Sequence, residues 1–139
     1  MPGFRMTVSI PVRFRDTDAM GHVNNAVFLT YLEVARENYW GEVMGVRSYT
    51  ECGLILARME IDFRSPVFVG ETIEVSVRVC RLGTTSFEFA YEVRQKETKR
   101  LVAEARSVQV MYDYEKNAKR PLSKDERRKM LDFEEEISP

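Results

Sequence analysis

The stretch Asn25–Met44, N-A-V-F-L-T-Y-L-E-V-A-R-E-N-Y-W-G-E-V-M, governs the architecture. From Ala26 to about Met44 its apolar side chains (Val27, Phe28, Leu29, Tyr31, Leu32, Val34, Ala35, Tyr39, Trp40, Val43 and Met44) fall on nearly every face of a helix. Only Glu33, Arg36, Glu37, Asn38 and Glu42 interrupt them. Such a helix carries too much charge to span a membrane and too little to lie open to water, so it predicts a helix enclosed by other protein. Gly41 and Gly45 mark its expected end.

On either side of this helix the pattern changes to a period of two. Upstream, Val8, Ile10, Val12 and Phe14 share one parity against Ser9, Arg13 and Arg15, which predicts a half-buried strand, with Pro11 at an edge or a bulge. Between that strand and the helix, Asp16 to Asn25 reads as a polar loop ending in an N-cap at Asn24 or Asn25. Downstream come four more strands. Ile55, Ala57, Met59, Ile61 and Phe63 form one apolar row, followed by Ile73 to Val79, Phe87 to Val93, and Leu101 to Tyr112. Pro66 to Gly70, Gly83-Thr84 and Glu97 to Lys99 are short enough for antiparallel turns. Ser123 and Glu126 form a capping box that opens a charged, solvated helix through about Glu136. The expected fold is α+β, one antiparallel sheet curled around one central helix. Its open back and its edges call for burial against a second copy of the chain.

At 139 residues the chain suits a single domain spanning 1–139, with its core at about 7–114 and the C-terminal helix at about 123–136. The composition, 44% hydrophobic and 31% charged, excludes global disorder. Lys+Arg 21 against Asp+Glu 22 leaves a net charge of -1, which gives no whole-chain attraction to nucleic acid or anionic lipid. No signal peptide or membrane span is read, so no membrane partner is expected and a cytoplasmic location follows. Cys52 and Cys80 lack metal-ligand spacing and are expected to be packing residues, with no metal site and no disulfide.

One segment concentrates chemistry-bearing residues: Arg15-Asp16-Thr17-Asp18-Ala19-Met20-Gly21-His22-Val23-Asn24-Asn25. It holds the chain's one histidine and two carboxylates immediately before a helix N-terminus, where free N–H groups favour a developing oxyanion. A carboxylate there can activate water or attack a carbonyl, which is equipment for acyl transfer. The same residue types also build ordinary turns and caps.

The run D-T-D-A-M-G-H-V-N-N, with Phe28, Tyr31, Glu33 and Arg36, resembles the signature of hot-dog-fold acyl-CoA thioesterases of the 4-hydroxybenzoyl-CoA thioesterase-like group. It is also similar to the corresponding segment of plant acyl-carrier-protein thioesterases. The likeness continues through Phe63-Arg64-Ser65-Pro66, Gly70-Glu71 and Gly83 to Phe87, and so covers roughly Val12 to Tyr112. It implies a hot-dog fold, a five-stranded antiparallel sheet around a long central helix with a C-terminal helix added. It implies hydrolysis of a coenzyme A thioester, coenzyme A entering as part of the substrate with no other cofactor. The catalytic carboxylate falls on Asp18, the oxyanion-binding amide on Asn25, and His22 matches the plant histidine. Asp16 becomes a loop brace, and Met20 stands where the plant pattern has asparagine. A homodimer assembling into a homotetramer is implied, with Glu33 at the seam and Glu33–Arg36 able to pair along the helix. Arg64, Arg81 and the Lys96–Arg100 region are candidate phosphate contacts. An enoyl-CoA hydratase or dehydratase on the same fold, or a non-catalytic acyl-binding module, are the alternatives.

Overall fold

The computed structural model describes residues 3–46, 53–134 and 136–137. Strand β1 (Met6–Pro11) leads through a short 3-10 turn (Phe14–Asp16) and a loop into helix α1 (Val27–Tyr39). One π turn, Trp40–Met44, extends α1 before Gly45 closes it in the left-handed conformation at φ 77. Strands β2 (Leu54–Phe63), β3 (Thr72–Leu82), β4 (Ser86–Gln95) and β5 (Leu101–Asp113) follow. A two-residue β6 (Ala118–Lys119) and helix α2 (Lys124–Phe133) complete the order.

All strand pairs are antiparallel and the spatial order is β1-β3-β4-β5-β2, with β6 added to β5. The expected five strands are present, and β6 makes a short sixth. Ile73, Val75, Val77 and Val79 of β3 and Phe87, Phe89, Tyr91 and Val93 of β4 point to one face and are buried. Against that face α1 sets Phe28, Tyr31, Leu32, Ala35 and Tyr39. Tyr39 packs edge-on to Phe89 at 5.0 Å and Trp40 stacks on Phe87 at 5.5 Å. Each such large side chain contributes roughly 1.5–3 kcal/mol by leaving water. This is the hot-dog arrangement, a sheet curled around its helix.

Several sequence expectations need correction. Helix α1 is not enclosed on all sides within one chain: Leu29 and Val34 are exposed, with Glu33 and Glu37 beside them. Gly41 lies inside the π turn and does not end the helix. Neither asparagine is the N-cap, which is Ala26, because Asn24 Oδ1 accepts from the Ala26 N–H (2.9 Å) in a turn one step earlier. Phe14 does not continue the inward row of β1 and is 82% exposed.

In β2 a bulge at Ala57 shifts the register between Leu56 and Arg58 and turns Ile55 to the face opposite Met59, Ile61 and Phe63. Pro66 to Gly70 is not a hairpin turn, since β2 and β3 lie three places apart in the sheet; it belongs to a crossover. Helix α2 has its capping box, with Ser123 Oγ accepting from Glu126 N at 3.0 Å, but ends at Phe133. Cys80 is a buried free thiol, and Cys52 lies outside the described residues.

Candidate active site

The loop before α1 folds as a small hairpin. Thr17 bridges Val23, the Asp18 N–H donates to His22 O (2.7 Å) and the Asn24 N–H donates to Asp16 O (2.9 Å). Gly21, at φ +81, takes the left-handed position in the turn that only glycine fills without strain. The crossover after β2 clamps this hairpin from below. Val23 N donates to Val67 O (2.9 Å), His22 bridges Phe68, and the Val12 N–H donates to Glu71 O (2.9 Å). Residues distant in sequence therefore hold the second strand of the hairpin and, at Val12, the chain just before the loop.

Asp16 is the anchor. It is buried, and its carboxylate accepts from Arg13 N (3.0 Å), Arg13 Nη2 (2.9 Å) and the Tyr31 hydroxyl (2.8 Å) of α1. Burial pushes its pKa up, but the hydrogen bonds from Arg13 and Tyr31 outweigh that and hold it below the ordinary carboxylate value. Burial, with the Asp16 contact added to it, raises the Tyr31 hydroxyl, so the pair stays carboxylate and phenol. In the sequence, Arg13 is marked only by its parity in the first strand and Tyr31 only as an apolar helix position and within the family resemblance, and neither is assigned a role at Asp16. An Arg-x-x-Asp spacing was visible there, whereas nothing local links Asp16 to a tyrosine on the next helix.

Asp18 differs in every respect that matters to chemistry. It is exposed, and its Oδ1 accepts only backbone N–H groups, from Met20 (2.9 Å) and His22 (3.3 Å), so the carboxylate is aimed by the turn without being neutralised. The His22 ring meets the edge of Phe68 at 4.9 Å and is tied to Asp18 through the backbone. Asn25 lies beyond the other end of the hairpin, at the mouth of α1, and no hydrogen bond joins it to Asp18. Among the described residues the Asn25 N–H donates to no acceptor. The structure thus unites Asp18 with His22 and leaves Asn25 as a free amide at a helix N-terminus.

Farther along α1, a cavity of about 250 Å³ opens between Glu33, Arg36, Glu37 and Trp40 on the helix and Leu54 and Leu56 of β2. Arg36 is not paired with Glu33 as the spacing suggested. Its Nη1 donates to Tyr91 Oη (3.2 Å), which shares a buried hydrogen bond with Ser107 Oγ (2.5 Å). Trp40 Nε1 is buried without an acceptor among the described residues. Arg64, Arg81, Lys99 and Arg100 all pair with carboxylates, Arg64 with Glu104 (3.1 Å), Arg81 with Glu88 (3.5 Å), Lys99 with Glu74 (2.6 Å) and Arg100 with Glu71 (3.4 Å). Among the described residues no three His, Cys, Asp or Glu side chains gather as a metal site requires.

Comparison with known proteins agrees with this fold. The family pattern described as thioesterase-like superfamily matches residues 12–135. A 1,4-dihydroxy-2-naphthoyl-CoA hydrolase of Crocosphaera subtropica is 32% identical over 106 residues, covering 72% of this chain and 77% of its own. A Thermus thermophilus thioesterase solved with coenzyme A and zinc superposes with a TM-score of 0.86 at 34% identity, over 96% of each chain. A 1,4-dihydroxy-2-naphthoyl-CoA thioesterase from Synechocystis gives 0.81 at 25% identity, over 91% of this chain and 95% of its own. With the fold, the match over residues 12–135 and these relatives in agreement, the chain belongs to the thioesterase-like superfamily.

Proposed function

We propose that the hairpin and the helix mouth together hydrolyse a coenzyme A thioester, with Asp18 as the catalytic carboxylate and the Asn25 amide as the oxyanion donor. The chain is a thioester hydrolase by family, and its relatives named for naphthoyl-CoA make aromatic acyl groups the first class to test. The observation that carries the residue assignment is the contrast between the two aspartates. Asp16 is spent on Arg13 and Tyr31, while Asp18 stands exposed on a turn that holds it in place.

Two routes use this arrangement. As a general base, Asp18 takes a proton from water, whose oxygen attacks the thioester carbon; the carbonyl oxygen becomes negative and is stabilised by the Asn25 N–H. The tetrahedral species then expels the coenzyme A thiolate, which takes up the proton. As a nucleophile, the carboxylate displaces the thiolate to give a mixed anhydride that water opens. His22 braces the turn through its backbone in both routes. Coenzyme A arrives with the substrate and no other cofactor takes part.

The reading includes a homodimer, and a homotetramer built from it. Edge strand β2 leaves Ile55, Leu56 and Phe63 exposed, and α1 adds Leu29 and Val34. Joining two such edges covers these residues and brings Glu33 to the seam. No helix among the described residues is long and apolar enough to cross a membrane.

The test is thiol release from a panel of aryl- and alkyl-CoAs by the purified protein, repeated with Asp18→Asn. Release by the native protein and its loss in the variant support the assignment; an Asp18→Asn protein with near-native turnover overturns it. Repeated turnover in heavy-oxygen water separates the routes, since only carboxylate attack leaves label in Asp18.

A further inference from the structure

The two most exposed large apolar side chains among the described residues, Phe14 (82%) and Met20 (76%), stand on either side of Asp18 in the chain. The backbone that carries Phe14 is fixed. Its turn is closed by Asp16 N to Arg13 O (2.9 Å) and Thr17 N to Phe14 O (3.1 Å), with Thr17 Oγ1 also donating to Phe14 O (2.7 Å). Because Arg13 and Tyr31 pin Asp16 inward, Phe14 and Arg15, the other two residues of that turn, are left facing solvent. The turn exchanges a buried carboxylate for an exposed aromatic ring beside an exposed guanidinium.

Arg15 is set apart from most of the cations that the sequence suggested for phosphate. Arg64, Arg81, Lys99 and Arg100 are each held by a carboxylate, whereas the Arg15 side chain, like that of Lys96, has no hydrogen-bond or ion-pair partner among the described residues; Lys96 follows β4, and Arg15 leads into the Asp18 hairpin. It lies three residues from Asp18, a span of at most about 11 Å of chain. A thioester on a pantetheine arm presents the complementary chemistry, a flexible chain with apolar stretches ending in a phosphate. Apolar and aromatic contact suits the arm, and a planar guanidinium suits the phosphate.

We infer that Phe14 and Arg15 form the carrier-binding platform of this site, Phe14 lying under the pantetheine arm and Arg15 engaging the phosphate at its end. The proposal rests on the reading of Asp18 as the catalytic carboxylate. The phosphopantetheine group is common to coenzyme A and acyl carrier proteins, so the platform recognises the arm, and what lies beyond the phosphate is left to other surfaces.

The test compares one acyl group on three carriers: coenzyme A, acyl carrier protein, and pantetheine without its phosphate. Arg15→Gln is expected to lower the ratio of kcat/KM for coenzyme A over pantetheine by about five- to tenfold, through KM, as loss of one exposed charge-assisted contact implies. The same fall with acyl carrier protein identifies the phosphopantetheine as the recognised group. A fall with coenzyme A alone assigns Arg15 to the nucleotide end and overturns the proposal. Phe14→Ser is expected to raise KM for all three carriers with the ratio unchanged; unchanged KM values overturn the role of the ring.

Calorimetry with free 4′-phosphopantetheine and pantetheine gives a readout that does not need turnover. The native protein is expected to prefer the phosphorylated ligand and Arg15→Gln to lose that preference. A preference that survives Arg15→Gln overturns the platform even if the protein hydrolyses thioesters. Absence of hydrolysis with the preference intact overturns the reading of Asp18 instead.

Discussion

At Asp18 and Asp16 the chain places the same functional group twice, two residues apart, and gives it opposite surroundings. Asp18→Asn retains an Oδ1 that can accept from Met20 and His22, so circular dichroism and thermal unfolding should match the native protein. Turnover should fall at least ~100-fold, the lower end for loss of a catalytic base. Asp16→Asn sets an amide against the Arg13 guanidinium and should lose roughly 1.5–3 kcal/mol in urea unfolding. Asp16 binds its proton less tightly in the folded chain than in the unfolded one. Its contribution is therefore complete above the ordinary carboxylate value of 3.8 and is lost as pH falls through its lower folded pKa. Asp16→Asn should flatten that part of the acid limb.

Among the elements, helix α2 is held by the residue that caps its C-terminal end. The Glu134 carboxylate is buried, accepting from the Tyr39 hydroxyl (2.7 Å) and from Val79 N (2.8 Å) at the bulge of β3, so it joins α1, β3 and the end of α2. Burial raises its pKa despite the hydrogen bonds from Tyr39 and Val79. The folded chain then binds this proton more tightly, and stability declines as pH rises from the ordinary value of 4.5 through the raised one. Glu134→Gln should remove this decline while one amide oxygen keeps an acceptor in place. Glu134→Ala leaves two buried donors unmet and should cost about 1–3 kcal/mol in thermal unfolding.

Local patterns made the strands, the capping box at Ser123 and the loop around Asp18 legible in the sequence, because each is encoded by neighbours. The bulge at Ala57, the inward turn of Asp16 and the burial of Glu134 were not legible. Each depends on a partner from a remote strand or helix, Val108, Tyr31 and Val79 respectively. Phe14 misled for a related reason: its parity matched β1, but the anchoring of Asp16 ends that strand's pattern.

For the whole molecule, the exposed apolar side chains of edge strand β2 and of the outer side of α1 predict that association and activity rise and fall together. Phe63→Glu, together with Leu29→Glu, should give a folded monomer by sedimentation with most thioesterase activity lost. A fully active monomer would show that one chain suffices. The strand order has a further consequence, in the timing of synthesis. β2 is made before β3 and β4, yet its neighbour is β5, the last long strand to emerge. While the ribosome completes the intervening segments, an apolar strand waits unpaired, and the Asp18 hairpin lacks the Val67–Phe68 segment beneath it until the crossover has followed. Recovery of active enzyme from cells should therefore respond more sharply to elongation rate and chaperone supply than the finished protein's stability would suggest.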